Sequence, residues 1–186
     1  MAFWNTPGNQ DPKRNFRFKV LFTGIMGTET HVWWAKKINK PNFTVAEGKH
    51  VYLGHTFYYP GKLEWQAISM TLVDPVTPGA LKAINETIEN SGYDGAPEAP
   101  GDVITMNKPK STAALGNVQI LQIDGDGNNT EQWTLFNPFI KKVAFSDLDY
   151  ENDDLSTIDL ELRYDWAKCE TFSNGGNLES TFFAGT

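Results

Sequence analysis

The chain has 186 residues and a formal net charge of −7, from 23 acidic and 16 basic side chains, with 40% hydrophobic and 13% aromatic residues. A chain of this length normally folds as one domain with a substantial core, and the composition is too apolar for a disordered segment. The acidic balance argues against a general nucleic-acid binder, which would carry a basic surface.

Residues 1–13 are polar and contain Gly and Pro, so they are expected to form an arm outside the core. The opening MAFWNTPGNQDPKRNF lacks the apolar run of a signal peptide, and no later stretch reaches membrane-spanning length, so no membrane insertion is expected. A single cysteine, Cys169, has no intrachain partner, which fits synthesis in a reducing cytoplasm.

Phe16, Phe18, Val20 and Phe22 alternate with Arg17 and Lys19, as in a half-buried strand. Val32–Ile38 reads as a second strand, stopped by Pro41. Residues 39–50 hold Pro, Gly and several charges and read as a long loop or protruding hairpin. Val51–Tyr59 and Leu63–Val73 flank Pro60-Gly61, a turn dipeptide, and read as a hairpin. Thr77 as a cap, Pro78 in the first turn, Leu81, Ile84 and Ile88 at helical spacing and Gly92 as a stop predict a helix over 78–91.

Residues 92–110 are rich in Gly and Pro and read as a surface loop. Val118–Asp124 and Glu131–Phe136 are expected to pair across the turn DGDGNN, and Ile140–Leu148 and Leu155–Trp166 bring the total to about eight strands. In the last of these, Ile158, Leu160, Leu162, Tyr164 and Trp166 alternate with Asp159, Glu161, Arg163 and Asp165. Period 2 gives it one buried face and one wet, acidic face. Many short strands joined by Gly/Pro turns, with one flanking helix, predict a β-sandwich or partly closed barrel.

The chemical motifs resolve mostly to structure. Asp124-Gly125-Asp126-Gly127-Asn128-Asn129 begins like a calcium loop, but its sixth position is Asn129 and its twelfth Leu135, so a hairpin turn explains it better. The acidic turn from Asp147 to Asp154 also lacks the central glycine and reads as a solvated corner. His31, His50 and His55 have no metal-ligand spacing; on a single strand His50 and His55 would face opposite sides. There is no nucleophile elbow, Walker loop or dinucleotide fingerprint, so no cofactor and no catalytic residue is assigned. Trp65, Trp133 and Trp166 fall in strand patterns where core packing is the default, whereas adjacent Trp33 and Trp34 must face opposite ways, placing one of them in contact with another subunit.

The segment NPFIKKVAFSDLDYENDDL, followed by an alternating strand ending in YDW, resembles the C-terminal half of tail-tube proteins of T-even-type contractile-tailed bacteriophages. FRFKVLFTG, WWAKKINKPNF and HTFYYPGKLEWQAISMTLVDPV fall upstream in the order that family uses, and the resemblance covers most of residues 12–168. It implies a mainly β tail-tube domain over 14–168, between an N-terminal arm at 1–13 and a C-terminal extension at 169–186. Copies would form hexameric rings stacked into a hollow conduit for genome DNA inside a contractile sheath, in the virion. The implied partners are further copies of the chain, with sheath, tape measure and baseplate or tail terminator proteins, and double-stranded DNA would pass without specific binding.

Basic residues gather in the first third and acids in the last, which suits head-to-tail stacking. The candidate lumen-lining acids are Asp159, Glu161 and Asp165. The candidate inter-subunit contacts are Trp33, Trp34, Lys40, Phe43, Glu47, Lys49, Phe182 and Phe183. Two alternatives remain: a tube or tube-initiating baseplate protein of a related contractile injection or secretion system, and a carbohydrate-binding β-sandwich module.

Overall fold

The computed structural model describes residues 13–24, 35–76, 79–93, 95, 105–151, 153–173 and 176–184. Within them the chain is mainly β. Strands β1 (Phe18–Phe22), β2 (Ala35–Ile38), β3 (Phe43–Tyr52), β4 (His55–Trp65) and β5 (Ile68–Val73) precede helices α1 (Ala80–Asn90) and α2 (Lys108–Leu115). Strands β6 (Val118–Ile123), β7 (Asn129–Phe136), β8 (Phe139–Phe145), β9 (Thr157–Arg163), β10 (Trp166–Phe172) and β11 (Leu178–Phe182) follow.

They form a five-stranded sheet in the order β1-β6-β7-β10-β11, a four-stranded sheet in the order β2-β5-β9-β8, and a separate two-stranded ribbon, β3-β4. Every pairing is antiparallel. The core lies between the two larger sheets. Val20, Phe22, Val118, Ile120, Leu135 and Ala167 come from one, and Ile68, Met70, Leu72, Ile158, Leu160 and Leu162 from the other. Ala80 and Ile84 of α1 close the same cluster, with Leu81 and Ile88 packed at its margin.

The unbroken alternation of 158–166 is two strands, not one. Ile158, Leu160 and Leu162 point into the core from β9, and the chain then turns a corner at Tyr164-Asp165 and enters the other sheet as β10. A parallel corner at Asn137-Pro138 carries β7 into β8, and the Asp165 amide donates to the Phe136 carbonyl (3.1 Å), binding the two corners together. Strands that switch sheets are how a sandwich closes its ends. Asn137 takes the left-handed backbone this corner requires (φ 52°), a conformation asparagine tolerates.

Of the two forms expected for residues 39–50, the structure shows the protruding hairpin: residues 43–50 make up most of β3, whose partner is β4. Three further expectations are corrected. The hairpin turn is Leu53-Gly54, with φ of 48° and 81°, not Pro60-Gly61. Pro60-Gly61 instead lies inside β4 beside a register shift; a Cβ at Gly61 would come within 2.8 Å of the Ala46 carbonyl oxygen, so glycine permits the close crossing. A second helix, α2, starts inside the expected loop, capped by the Asn107 side chain accepting from the Lys110 amide (2.9 Å) with Pro109 in the first turn. The C-terminal segment is not a mere extension, because β10 and β11 complete the five-stranded sheet.

Helix α1 starts at Ala80 with Gly79 at its cap, while Thr77 and Pro78 lie outside the described residues. Gly92 (φ 100°) follows its end, the left-handed position where glycine commonly stops a helix.

Candidate assembly interface

The β3–β4 ribbon is the least compensated part of the chain. Every residue from Phe43 to Leu63 is exposed, so ten residues of one strand and most of eleven of the other stand clear of the sandwich. At about 3.3 Å per residue the ribbon reaches roughly 30 Å. A lone two-stranded ribbon is marginal in water, yet this one carries Val45, Val51, Tyr52, Leu53, Phe57, Tyr58, Tyr59 and Leu63 on its surface.

Cross-strand partners share a face, and the register sorts these side chains. Gly48↔Tyr59, His50↔Phe57 and Tyr52↔His55 line one face, while Glu47↔Pro60, Lys49↔Tyr58 and Val51↔Thr56 line the other. His50 and His55 are therefore neighbours on one face of two strands, contrary to the single-strand expectation. Tyr52, Leu53, Phe57 and Tyr59 are exposed apolar residues outside the expected set; the adjacent pair Tyr58-Tyr59 was the available signal, since neighbours on a strand cannot both face a core.

Three of the eight inter-subunit contacts expected from sequence, Phe43, Glu47 and Lys49, lie in the ribbon. Glu47 and Lys49 project from β3, on the face that carries Pro60 and Tyr58. Phe43 sits at the root, where its ring meets Trp65 edge-on at 5.3 Å. Lys40 precedes the ribbon and is already engaged within the chain: its Nζ donates to Glu131 Oε1 and to Gln122 Oε1, both at 2.7 Å. Phe182, half-exposed, pairs across β11 with Cys169 on β10. Phe183 contacts its own chain, edge-on to Phe43 (5.5 Å) and Trp65 (5.4 Å). Trp33 and Trp34 lie outside the described residues.

Glu131, on β7, is a carboxylate buried at the margin of the core and gathered by three donors. Lys13 Nζ reaches it at 2.6 Å, Lys40 Nζ at 2.7 Å and Trp133 Nε1 at 2.5 Å. Burial pushes its pKa up, but the hydrogen bonds from Lys13, Lys40 and Trp133 outweigh that and hold it down at about 2. Cys169, whose register partner is Trp133 on β7, has its thiol pKa raised by burial and by the Glu131 charge.

The four-stranded sheet supplies a second surface, and β2 and β8 stand at its edges. Its wet face is read in rows across the register. Lys37, Thr71, Asp159 and Ala144 form one, and Ser69, Glu161 and Lys142 the next. Thr71 Oγ1 donates to Asp159 Oδ1 (2.6 Å), and Lys141 Nζ pairs with Glu161 at 2.5 Å. The acidic face expected from β9 alone is therefore charge-balanced once its neighbours are in place. Asp165 does not share it. Asp165 lies at the corner after β9, where Lys108 holds its pKa down against partial burial, with help from Asn137 (3.0 Å).

The acidic loop between β8 and β9 lies at the opposite end of this sheet from the ribbon. With Lys36 it lines an open cleft of about 620 Å³, whose wall includes Asp147, Leu148, Asp149, Tyr150, Asp154 and Leu155. Among the described residues no three His, Cys, Asp or Glu side chains are grouped to hold a metal ion. Asp124 organises its turn by accepting from the Asn128 and Asp126 amides (2.8 and 2.9 Å). Those bonds, the Asn128 amide first, lower its pKa. The described tryptophans offer no open stacking platform. Trp65 is buried, Trp133 is bonded to Glu131, and Trp166 lies stacked on Phe136 at 3.9 Å.

No protein-family model and no curated protein matches the chain. Solved structures do. A chain of the anti-feeding prophage baseplate, 6-fold symmetrised, is 15% identical with a TM-score of 0.61, over 86% of this chain and 96% of that one. A chain of the sheath-tube complex of an extracellular contractile injection system, PVC, in the extended state is 15% identical with a TM-score of 0.58, over 88% and 94%. A chain of the anti-feeding prophage tube-terminating cap is 21% identical with a TM-score of 0.60, over 92% and 99%. The chain therefore has the fold found in these contractile assemblies, along nearly the whole length of each.

Proposed function

We propose that this protein is a structural tail-tube subunit that stacks as hexameric rings into a hollow conduit, with no catalytic role. The observation that carries this reading is the joint presence of the shared fold and two features: β2 and β8, which stand at the edges of the four-stranded sheet among the described residues, and a projecting ribbon with exposed apolar side chains. Strand edges are templates for further pairing, and β2 of one copy against β8 of the next would close six sheets into one inner barrel. Lys141 and Lys142 on β8 guard that edge against indiscriminate pairing.

In this arrangement the ribbon reaches the adjacent ring, and stacking is heterologous and open-ended. The opposite placement of ribbon and acidic loop gives each copy two unlike ends, as head-to-tail growth requires. Sheath, tape measure, baseplate and terminator proteins are the partners in this reading, and the assembly would sit in a virion tail.

The wet face of the four-stranded sheet, with Asp159 and Glu161, would line the bore; Asp165, at the corner, would lie at its rim. Genome DNA is the cargo the T-even resemblance implies, and carboxylates there would centre the duplex over about 8 Å at physiological salt. A second reading, the tube of an injection particle with another cargo, is favoured by the pairing of Lys141 with Glu161 and by Lys37 and Lys142 beside the acids, which leave little net repulsion for phosphate.

Electron microscopy of the purified protein across a concentration series tests the proposal. Sixfold rings or hollow tubes are expected, alone or seeded with baseplate. A monomer that stays monomeric with the seed and binds a glycan panel would replace it with a carbohydrate-binding module. Native particles with DNA-filled heads, or without heads, separate the two cargo readings.

A further inference from the structure

A ribbon that must meet a neighbouring ring gains from being held in one direction, because a swinging ribbon loses conformational freedom at every contact. On one side its root is tied to the four-stranded sheet. Asn39 N donates to the Ser69 carbonyl of β5 (3.1 Å) and Arg163 of β9 meets Glu64 at 3.4 Å, while Gln66 N donates to the Asn42 carbonyl (2.8 Å) and ties the two feet of the ribbon to each other. These ties join the ribbon to strands continuous with it or next to them, and Trp65, the last residue of β4, is anchored in the core against Tyr164 (5.9 Å).

The five-stranded sheet adds a further constraint at two points, one on β6 and β7 and one at the end of β11. From β7, the buried Glu131 takes Lys40, which Pro41 and Asn42 separate from the ribbon, and Gln122 of β6 takes the same ammonium. From the end of β11, Phe183 sets its ring against Phe43 and Trp65, which are the first cross-strand pair of the ribbon. Phe183 does this with φ at 58°. A bulky residue in the left-handed region costs about 1–2 kcal/mol, and such strain persists only where the surroundings impose it.

We infer that Glu131 and Phe183 form a two-point brace that fixes the direction in which the β3–β4 ribbon leaves the sandwich, making them positioning residues for stacking. The consequence for stacking rests on the tube reading; the brace itself does not.

Glu131→Gln and Phe183→Ala, made singly and together in the full chain, test it by amide hydrogen exchange. In the double variant the ribbon amides of 43–65 are expected to exchange about 10-fold faster, while β5 and β9 keep wild-type protection. Glu179→Gln, a carboxylate removed from exposed β11, is expected to leave both unchanged. Ribbon exchange that stays at the wild-type rate, or rises only in step with β5 and β9, overturns the brace. A loosened ribbon with undiminished tube formation overturns its role in stacking. A wild type that forms no tubes tells against the ring proposal, and the exchange result still decides on the brace.

Discussion

Leu53 at the ribbon tip sets stability and assembly against each other. It occupies the first central position of a two-residue hairpin turn with φ at 48°, followed by Gly54 at 81°, and its side chain is 81% exposed. Turns with both central residues left-handed favour Asn-Gly, and a leucine there is strained. Leu53→Asn removes that strain and sacrifices no internal packing. The isolated protein should gain about 0.5–1 kcal/mol, since asparagine escapes most of the left-handed penalty. If the tip is buried against a neighbouring ring, loss of the leucine removes about 1.5–3 kcal/mol of apolar burial per copy. The critical concentration for tube growth should then rise about 10- to 150-fold. Urea unfolding of the monomer and pelleting of tubes across a concentration series measure the two quantities on the same sample. A stabilised monomer with an unchanged critical concentration would refute the burial of the tip, and a destabilised monomer would refute the strain argument itself.

Three more outcomes follow from the geometry. The Glu131 pKa lies below its ordinary 4.5, so its contribution is present above that value and is lost as pH falls through about 2. Wild type should therefore lose about 2–3 kcal/mol more than Glu131→Gln between pH 5 and pH 2, and parallel urea midpoints would exclude the carboxylate as the cause. Leu160→Ala empties a site only 1% exposed between the sheets and should cost about 3 kcal/mol in chemical denaturation, with a loss under 1 kcal/mol arguing that the core collapses around it. Gly92→Ala meets both a φ of 100° and a Thr105 carbonyl oxygen 2.9 Å from the new Cβ, so thermal unfolding should show a loss of about 1–2 kcal/mol; a neutral result would mean α1 ends differently.

Sequence reading succeeded where the signal was local. Period-2 alternation located β1, β5 and β9, the turn signature DGDGNN located the β6–β7 hairpin whose turn Asp124 organises, and helical spacing located α1. It failed where two local signals competed. Pro60-Gly61 is a stronger turn signature than Leu53-Gly54, yet the latter makes the turn because the register that pairs His50 with Phe57 and Phe43 with Trp65 allows no other. Helix α2 was passed over because Lys108–Leu115 has no amphipathic stripe, although Asn107 and Pro109 announced its start.

The amino-acid pattern by itself determined that this chain is mainly β, with one face of β9 buried, and its segment order carried the resemblance to tube proteins. Alternation and turn chemistry are properties of neighbouring residues, so they survive without any knowledge of the fold. Which side chains meet across sheets was decided only in three dimensions. Asp159 and Glu161 look like an uncompensated acidic face until Lys37, Lys141 and Lys142 arrive from strands 17 or more positions away. Asp165 leaves that face because the chain turns a corner that alternation cannot register. Phe183 and Lys40, which read as contacts for a neighbour, also make contacts inside their own chain. Electrostatics and packing depend on distance in space, and antiparallel pairing brings together residues that are remote along the chain.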